Sequence, residues 1–195
     1  MSSGPFLTSC ARTDVGMRRS SNEDAFVLVD LDAPTTAIAC AGERIEIGGK
    51  RMLLALSDGM GGAAAGEIAS SLALSTLVRE LQRATTDRID EALDAAVHVA
   101  NARVLEAASA AERRGMGATL TAVVIADNTA WIAEVGDSRA YLLRGRQLHQ
   151  LTRDQSYVQM LVDMGAMSEE DAKESSKRNV ILQAVGTAPT LRVAL

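Results

Sequence analysis

Apolar positions along this chain recur with two periods. Residues 25–31 (A-F-V-L-V-D-L) are rich in branched and aromatic side chains, and the run L-L-A-L-S before Asp58 is apolar or small, which predicts two neighbouring strands. Residues 66–83 place Ile68, Leu72, Leu77, Val78 and Leu81 near helical spacing and leave Glu67, Arg79, Glu80, Gln82 and Arg83 for solvent. Residues 87–114 carry a second stripe of Ile89, Leu93, Ala96, Val97, Ala100, Val104 and Leu105 behind Asp87 as a cap. Two consecutive helices predict an antiparallel pair. From 117 to 151 the pattern changes to short runs of Thr, Val and Ile broken at Asp127-Asn128, Gly136-Asp137 and Arg144-Gly145, which predicts three or four antiparallel strands.

Beyond them, residues 155–165 and 168–174 predict short helices, the second capped by Ser168 with Asp171 three residues on, and 179–185 predict a last strand. Residues 32–50, with Pro34, Gly42, Gly48 and Gly49, read as a loop or an irregular hairpin. With no internal repeat or low-complexity linker, the chain reads as one domain over 1–195. Short turns between strands and helices in succession predict the α/β class, a four-layer α-β-β-α sandwich with antiparallel sheets at the centre and helix pairs outside.

Composition narrows the chemistry. At 195 residues the chain can bury a substantial core, but only 3% of it is aromatic against 47% apolar, so base stacking is excluded as a main activity. A formal net charge of -5 without a Lys/Arg block argues against nucleic acid and suits metal binding better. Cys10 and Cys40 form no C-x-x-C pair, so neither a disulfide framework nor a zinc site is indicated, and two free thiols suit a reducing compartment. No basic leader precedes an apolar run, and no segment has the length to span a membrane, so a cytoplasmic location without membrane attachment is expected.

Candidate chemistry centres on L-L-A-L-S-D-G-M-G-G at 53–62. A strand ending at Asp58-Gly59 presents a carboxylate and a carbonyl, oxygen donors that hard divalent cations prefer. Asp-Gly is also a common hairpin dipeptide, so a tight turn stays open as an alternative. The pair Glu23-Asp24 precedes the neighbouring strand, and pairing of the two would gather three carboxylates at one sheet end. Two cations there could share Asp58 and a bridging water whose pKa falls enough to attack phosphorus. Arg19 could hold two phosphate oxygens, with Arg18 as the rival for that role. Solvated charges before a strand and a surface arginine are the plainer alternatives.

The motifs R-T-D-V-G-M-R-R-S-S-N-E-D-A-F, L-A-L-S-D-G-M-G-G, M-G-A-T-L-T-A-V, V-G-D-S-R-A-Y-L-L-R and L-T-R-D-Q-S-Y-V-Q, in this order and spacing and followed by R-N-V-I-L-Q-A-V-G-T, resemble those of the PPM-type (type 2C) protein serine/threonine phosphatases, bacterial members above all. The resemblance implies metal-dependent hydrolysis of phosphoserine and phosphothreonine with two magnesium or manganese ions. It also implies a phosphoprotein substrate, with a Ser/Thr kinase or its targets as partners. Carried over residue by residue, Arg19 would bind the substrate phosphate, and Glu23, Asp58 and the Gly59 carbonyl would hold one cation. Asp58 would bridge to the other. Asp24 would order water around the metals, and Asp137 matches a position that contacts such water and can help hold a third metal; the residues alone leave Gly136-Asp137 open as a bulge or turn. Residues 155–187 would correspond to the family's flap.

Three departures qualify the match. Ser175-Ser176 stand where bacterial relatives often carry His-Pro, and Met60 replaces a histidine of eukaryotic members, so another group must protonate the leaving alcohol. The chain stops at L-R-V-A-L, before two late motifs that each supply an aspartate to the metals, which makes the expected domain incomplete at its C-terminus. A catalytically impaired, phosphatase-like binding or regulatory module is the alternative to an active enzyme.

Overall fold

The structure is a computed structural model describing residues 6–17, 19–33 and 44–195. Arg18, Pro34, Cys40 and Gly42 lie outside the described residues. A long antiparallel sheet positions everything else. Its strands are β2 (Asp24–Asp30), β4 (Arg51–Met60), β6 (Leu120–Ala126) and β7 (Thr129–Val135), in the order β2-β4-β6-β7, with the short β5 (Gly117–Ala118) paired to the end of β4. Two further pairs stand apart from it: β1 (Phe6–Thr8) with β3 (Arg44–Glu46), and β8 (Tyr141–Arg144) with β9 (Gln147–Gln150). The 117–151 region thus holds five strands, because a break after Ala118 separates β5 from β6.

Alternation explains why one face of the sheet is covered. Val27, Val29, Leu53, Ala55, Leu120, Ala122, Val124, Ala133 and Val135 share a core with helices α1 (Ala63–Arg83) and α2 (Ile89–Ala107). From the helices come Ala69, Ala73, Leu74, Leu77, Leu81, Leu93, Ala96, Val97 and Val104. Alanines on the facing helices permit close approach, while each buried leucine contributes about 2 kcal/mol of transfer free energy. The opposite sheet face carries Phe26, Leu56, Thr121 and Glu134 in one cross-strand row. There Phe26 and Leu56 are 36% and 40% exposed, whereas Glu134 is only 2% exposed.

Several boundaries differ from the periodicity. Helix α1 begins three residues early, at Ala63, because the alanines 63–65 extend a helix without apolar bulk to signal it. Asp87 does not cap α2; Arg88 occupies that position without a side-chain cap bond, and the helix ends at Ala107 before a single 3-10 turn at Ala111–Arg113. Helices α3 (Tyr157–Asp163) and α4 (Glu169–Glu174) are shorter than 155–165 and 168–174, and both are capped by serines, Ser156 and Ser168, that accept from backbone N–H groups. No strand forms over 179–185. That segment makes only single bridges, Ser156↔Ile181 and Ala118↔Val185, since its neighbours are a loop and the two-residue β5. Among the described residues no helix is long and apolar enough to cross a membrane.

Candidate functional site

Register brings the acidic motifs together. In the β2–β4 pair, Asp24 stands opposite Asp58, so both carboxylates project from the same face at the sheet end. The loop before β2 is pinned by side chains: Asn22 Nδ2 donates to Thr13 Oγ1 at 2.7 Å, and Asp24 N–H donates to Asn22 Oδ1 at 3.1 Å. Glu23 is buried, and its carbonyl accepts from Gly59 N–H at 3.1 Å and from Ser70 Oγ at 2.7 Å, tying the loop to β4 and α1. Helix α1 comes close here. A Cβ on Gly66 would overlap Glu23 Oε2 and lie 3.0 Å from the Gly59 carbonyl carbon, so only glycine leaves the Glu23 carboxylate in place.

Asp58 is held by its backbone: its N–H donates to Thr119 Oγ1 and its carbonyl accepts from Thr119 N–H, each at 2.9 Å. The turn after β7 brings Asp137 to the same place. Gly136 adopts φ 110, which lets the turn press against Thr119, and its N–H donates to Gln155 Oε1 at 2.7 Å while its carbonyl accepts from Gln155 N–H at 2.7 Å. Arg139 of the same motif grips Asp154 with two bonds, Nε to Oδ1 at 2.8 Å and a terminal nitrogen to Oδ2 at 2.6 Å. The V-G-D-S-R and L-T-R-D-Q motifs are therefore one structural unit.

Arg19, Glu23, Asp58, Gly59, Met60 and Asp137 line a single cleft of about 670 Å³, together with Asn179 and Ile181. Asp24 adjoins the cleft beside Asp58 but is not part of its lining. A long contact of 3.8 Å joins the largely exposed Arg19 guanidinium to Glu23 Oε1. Met60 supplies no proton, and Ser175 turns its hydroxyl to Lys177 N–H at 3.2 Å, beyond the end of α4.

The electrostatics of the cleft are those of crowded carboxylates. Burial pushes Asp58 up to about 6, reinforced by the charge and hydrogen bond of Asp24 and by Asp137, and offset by Arg19. Its oxygens open to the cleft, yet the surrounding walls displace enough water to disfavour the charge. Asp137 is raised by burial and by Asp154. Glu134, three residues before it, is pushed up to about 8 by burial, and the charges of Asp154 and Asp137 add to this; the Thr121 hydroxyl, donating to Oε2 at 2.7 Å, opposes the shift. Its Oε1 has no hydrogen-bond partner among the described residues.

The carboxylates and the Gly59 carbonyl in the cleft are oxygen donors, which suits a hard divalent cation, and a cation would lower the same carboxylates that crowding raises. Among the described residues no three acidic, histidine or cysteine side chains converge into a cage. Any cation here would therefore be held by one or two carboxylates with carbonyl and water ligands, as magnesium tolerates. Sequence patterns pointed to Arg19, Glu23, Asp58 and Asp137 but not to Gly66, Ser70 or Thr119. Of these only Thr119 lies in a motif singled out beforehand, and there without a role.

Residues 39–184 match the protein phosphatase 2C family. The chain is 37% identical over 180 residues to serine/threonine protein phosphatase PstP of Mycobacterium tuberculosis, a match covering 92% of this chain and 31% of that protein. It is 33% identical over 177 residues to protein phosphatase PhpP of Streptococcus pneumoniae, covering 89% and 65%. The chain thus spans less than two thirds of either relative. Among solved structures, the serine/threonine phosphatase of S. agalactiae superposes with TM-score 0.81 at 30% identity, covering 97% of this chain and 73% of that one. The PstP catalytic domain in complex with two manganese ions superposes with TM-score 0.72 at 34% identity, covering 97% and 70%. With its motifs in order, its mixed α/β fold of antiparallel sheet and helices, and these matches, the chain belongs to the protein phosphatase 2C family.

Proposed function

We propose that this chain carries the metal-dependent phosphatase centre of its family and hydrolyses phosphoserine and phosphothreonine in phosphoproteins. The observation that carries this reading is the meeting of Asp58, Asp24 and Asp137 in and beside one cleft with Arg19 at its rim. Glu23, Asp58 and the Gly59 carbonyl would hold one magnesium or manganese ion, Asp58 would reach a second, and Asp137 would serve a third or its water. When bound, the ions supply Lewis acidity that activates water and offsets charge at phosphorus.

The chain's own residues supply the rest. Arg19, whose contact to Glu23 is long and open to solvent, turns its fork to two phosphate oxygens and places phosphorus over Asp58. Asp24 orders water beside Asp58. Since Met60 cannot donate a proton, the leaving alcohol takes one from solvent in the open cleft. Residues 155–187 act as the flap of a single domain, with Asn179 and Ile181 against the phosphate pocket. The substrate is the product of a Ser/Thr kinase or the kinase itself.

Manganese-dependent release of phosphate from a phosphothreonine peptide tests this reading, with Asp58→Asn as control; equal rates for the two proteins overturn it. The sparse donor set favours one second reading, a phosphoprotein-binding module with impaired turnover. Phosphopeptide binding that depends on Arg19, without manganese-dependent hydrolysis, is its signature.

A further inference from the structure

The M-G-A-T-L-T-A-V motif contributes no group to the proposed cation ligands, yet its Thr119 touches both halves of the cleft. Toward β4, Thr119 N–H donates to the Asp58 carbonyl and Thr119 Oγ1 accepts from Asp58 N–H, each at 2.9 Å, while Ser57 Oγ donates to the Thr119 carbonyl at 2.6 Å. Toward the β7 turn, the same Thr119 oxygen lies 2.8 Å from Ser138 Oγ, next in sequence to Asp137. The methyl group is fixed as well. A Cβ built on Gly136 would lie 2.8 Å from Thr119 Cγ2, so the turn is seated directly on this side chain.

Thr119 is 4% exposed, so its hydroxyl is satisfied chiefly by these protein partners. A single buried hydroxyl therefore spans the strand end bearing Asp58 and the turn bearing Asp137. Those two carboxylates are close enough for the charge of one to act on the other. Nothing else among the described hydrogen bonds joins the backbone of Asp58 to the 136–138 turn so directly.

We propose that Thr119 is a positioning residue of the cation centre: its hydroxyl sets the separation of the Asp58 and Asp137 carboxylates and thereby the affinity of the cleft for a divalent cation. This rests on the two-cation reading above. The hydroxyl and the methyl are separable. Thr119→Val keeps the shape against Gly136 and removes both hydroxyl bonds; Thr119→Ser keeps the hydroxyl and removes the methyl; Ser138→Ala breaks only the link to the turn.

The test is a calorimetric manganese titration of the full 195-residue chain and the three variants, alongside melting of each in chelator. Thr119→Val weakens manganese binding about tenfold and Thr119→Ser less than about twofold, as expected when an outer partner that orients a ligand is lost or kept. Ser138→Ala falls between them. Parent-like affinity in Thr119→Val, or equal weakening in Thr119→Val and Thr119→Ser, overturns the proposal, because a merely structural role lowers melting without separating hydroxyl from methyl. Should Thr119→Val fail to fold, Ser138→Ala decides: parent-like affinity refutes the joint. A parent chain that binds no manganese instead refutes the two-cation reading and this proposal with it.

Discussion

Asp24 and Asp58 face each other as register partners at the end of the β2–β4 ladder, two like charges where opposite charges or apolar groups would favour the sheet. The fold sets them there through a run of apolar pairs, from Val29 opposite Leu53 to Phe26 opposite Leu56, and slipping that register by one residue would turn the apolar set away from the helices. Crowding of carboxylates is thus a consequence of core packing, and it leaves the site in deficit of positive charge.

Removing the Asp58 charge should accordingly stabilise the metal-free chain. Its folded pKa is raised from 3.8 to about 6, so the folded state holds the proton more tightly than the unfolded one. The resulting stability is complete below pH 3.8 and is lost as pH rises through about 6. Asp58→Asn is expected to raise stability at pH 7 in chelator by about 1 kcal/mol, a figure discounted for solvent screening at an open side chain, and to leave it unchanged near pH 3. Manganese-dependent hydrolysis should meanwhile fall at least about a hundredfold. Thermal melts at the two pH values, beside the activity assay, check both halves; a variant less stable at pH 7 than at pH 3 relative to the parent contradicts the sign.

Glu134 gives a larger effect of the same sign in a higher window. Buried on the sheet face away from the helices, it is raised from 4.5 to about 8, so stability declines as pH rises between these values. Glu134→Gln cannot ionise and should flatten that decline. For a chain of this size a change of about 3 kcal/mol corresponds to roughly 10 °C in melting temperature. Scanning calorimetry from pH 5 to pH 9 is the measurement, and parallel pH profiles for parent and variant would show that Glu134 titrates normally.

Substitution of Gly66 separates stability from function. Alanine is favoured over glycine inside a helix by about 1 kcal/mol, yet here its methyl displaces the Glu23 carboxylate and presses on the Gly59 backbone. Gly66→Ala should melt within a few degrees of the parent and bind manganese about tenfold more weakly. Parent-like affinity would mean that Glu23 can move without cost to the cation.

The contrast between what the sequence disclosed and what it hid follows from range. Asp58 and its strand were legible because the apolar run and the Asp-Gly step are local, and Ser168 was legible as a cap because its acceptor role reaches only Asp171 N–H. Gly66 was not, since its importance depends on Glu23 arriving from 43 positions earlier, a pairing that β2–β4 register creates. Residues 179–185 read as a strand because Val180, Ile181 and Leu182 form a short run of branched apolar side chains, but a strand needs a continuous partner and this segment meets only single bridges. Asp87 failed as a cap because Thr86 Oγ1 instead receives Arg88 N–H at 3.0 Å, a local bond that occupies the turn before α2.

Behind Asp137 an arginine fork joins the V-G-D-S-R and L-T-R-D-Q motifs. Arg139 makes two parallel bonds to Asp154 and a third to the Tyr141 hydroxyl at 3.2 Å, and Asp154 is largely shielded from solvent. Lysine carries the same charge but cannot reproduce the fork, so Arg139→Lys should cost about 1 kcal/mol. Arg139→Leu leaves the Asp154 carboxylate without its counter-ion, beside Asp137 and Glu134, which its charge already raises. The loss should be larger, about 2 kcal/mol. Adding Asp154→Asn to Arg139→Leu ought to recover part of that loss, because the uncompensated charge is then gone. A double-mutant cycle by urea unfolding at pH 7 measures the coupling, and additive losses would show that the pair contributes through its separate packing and not through its charge.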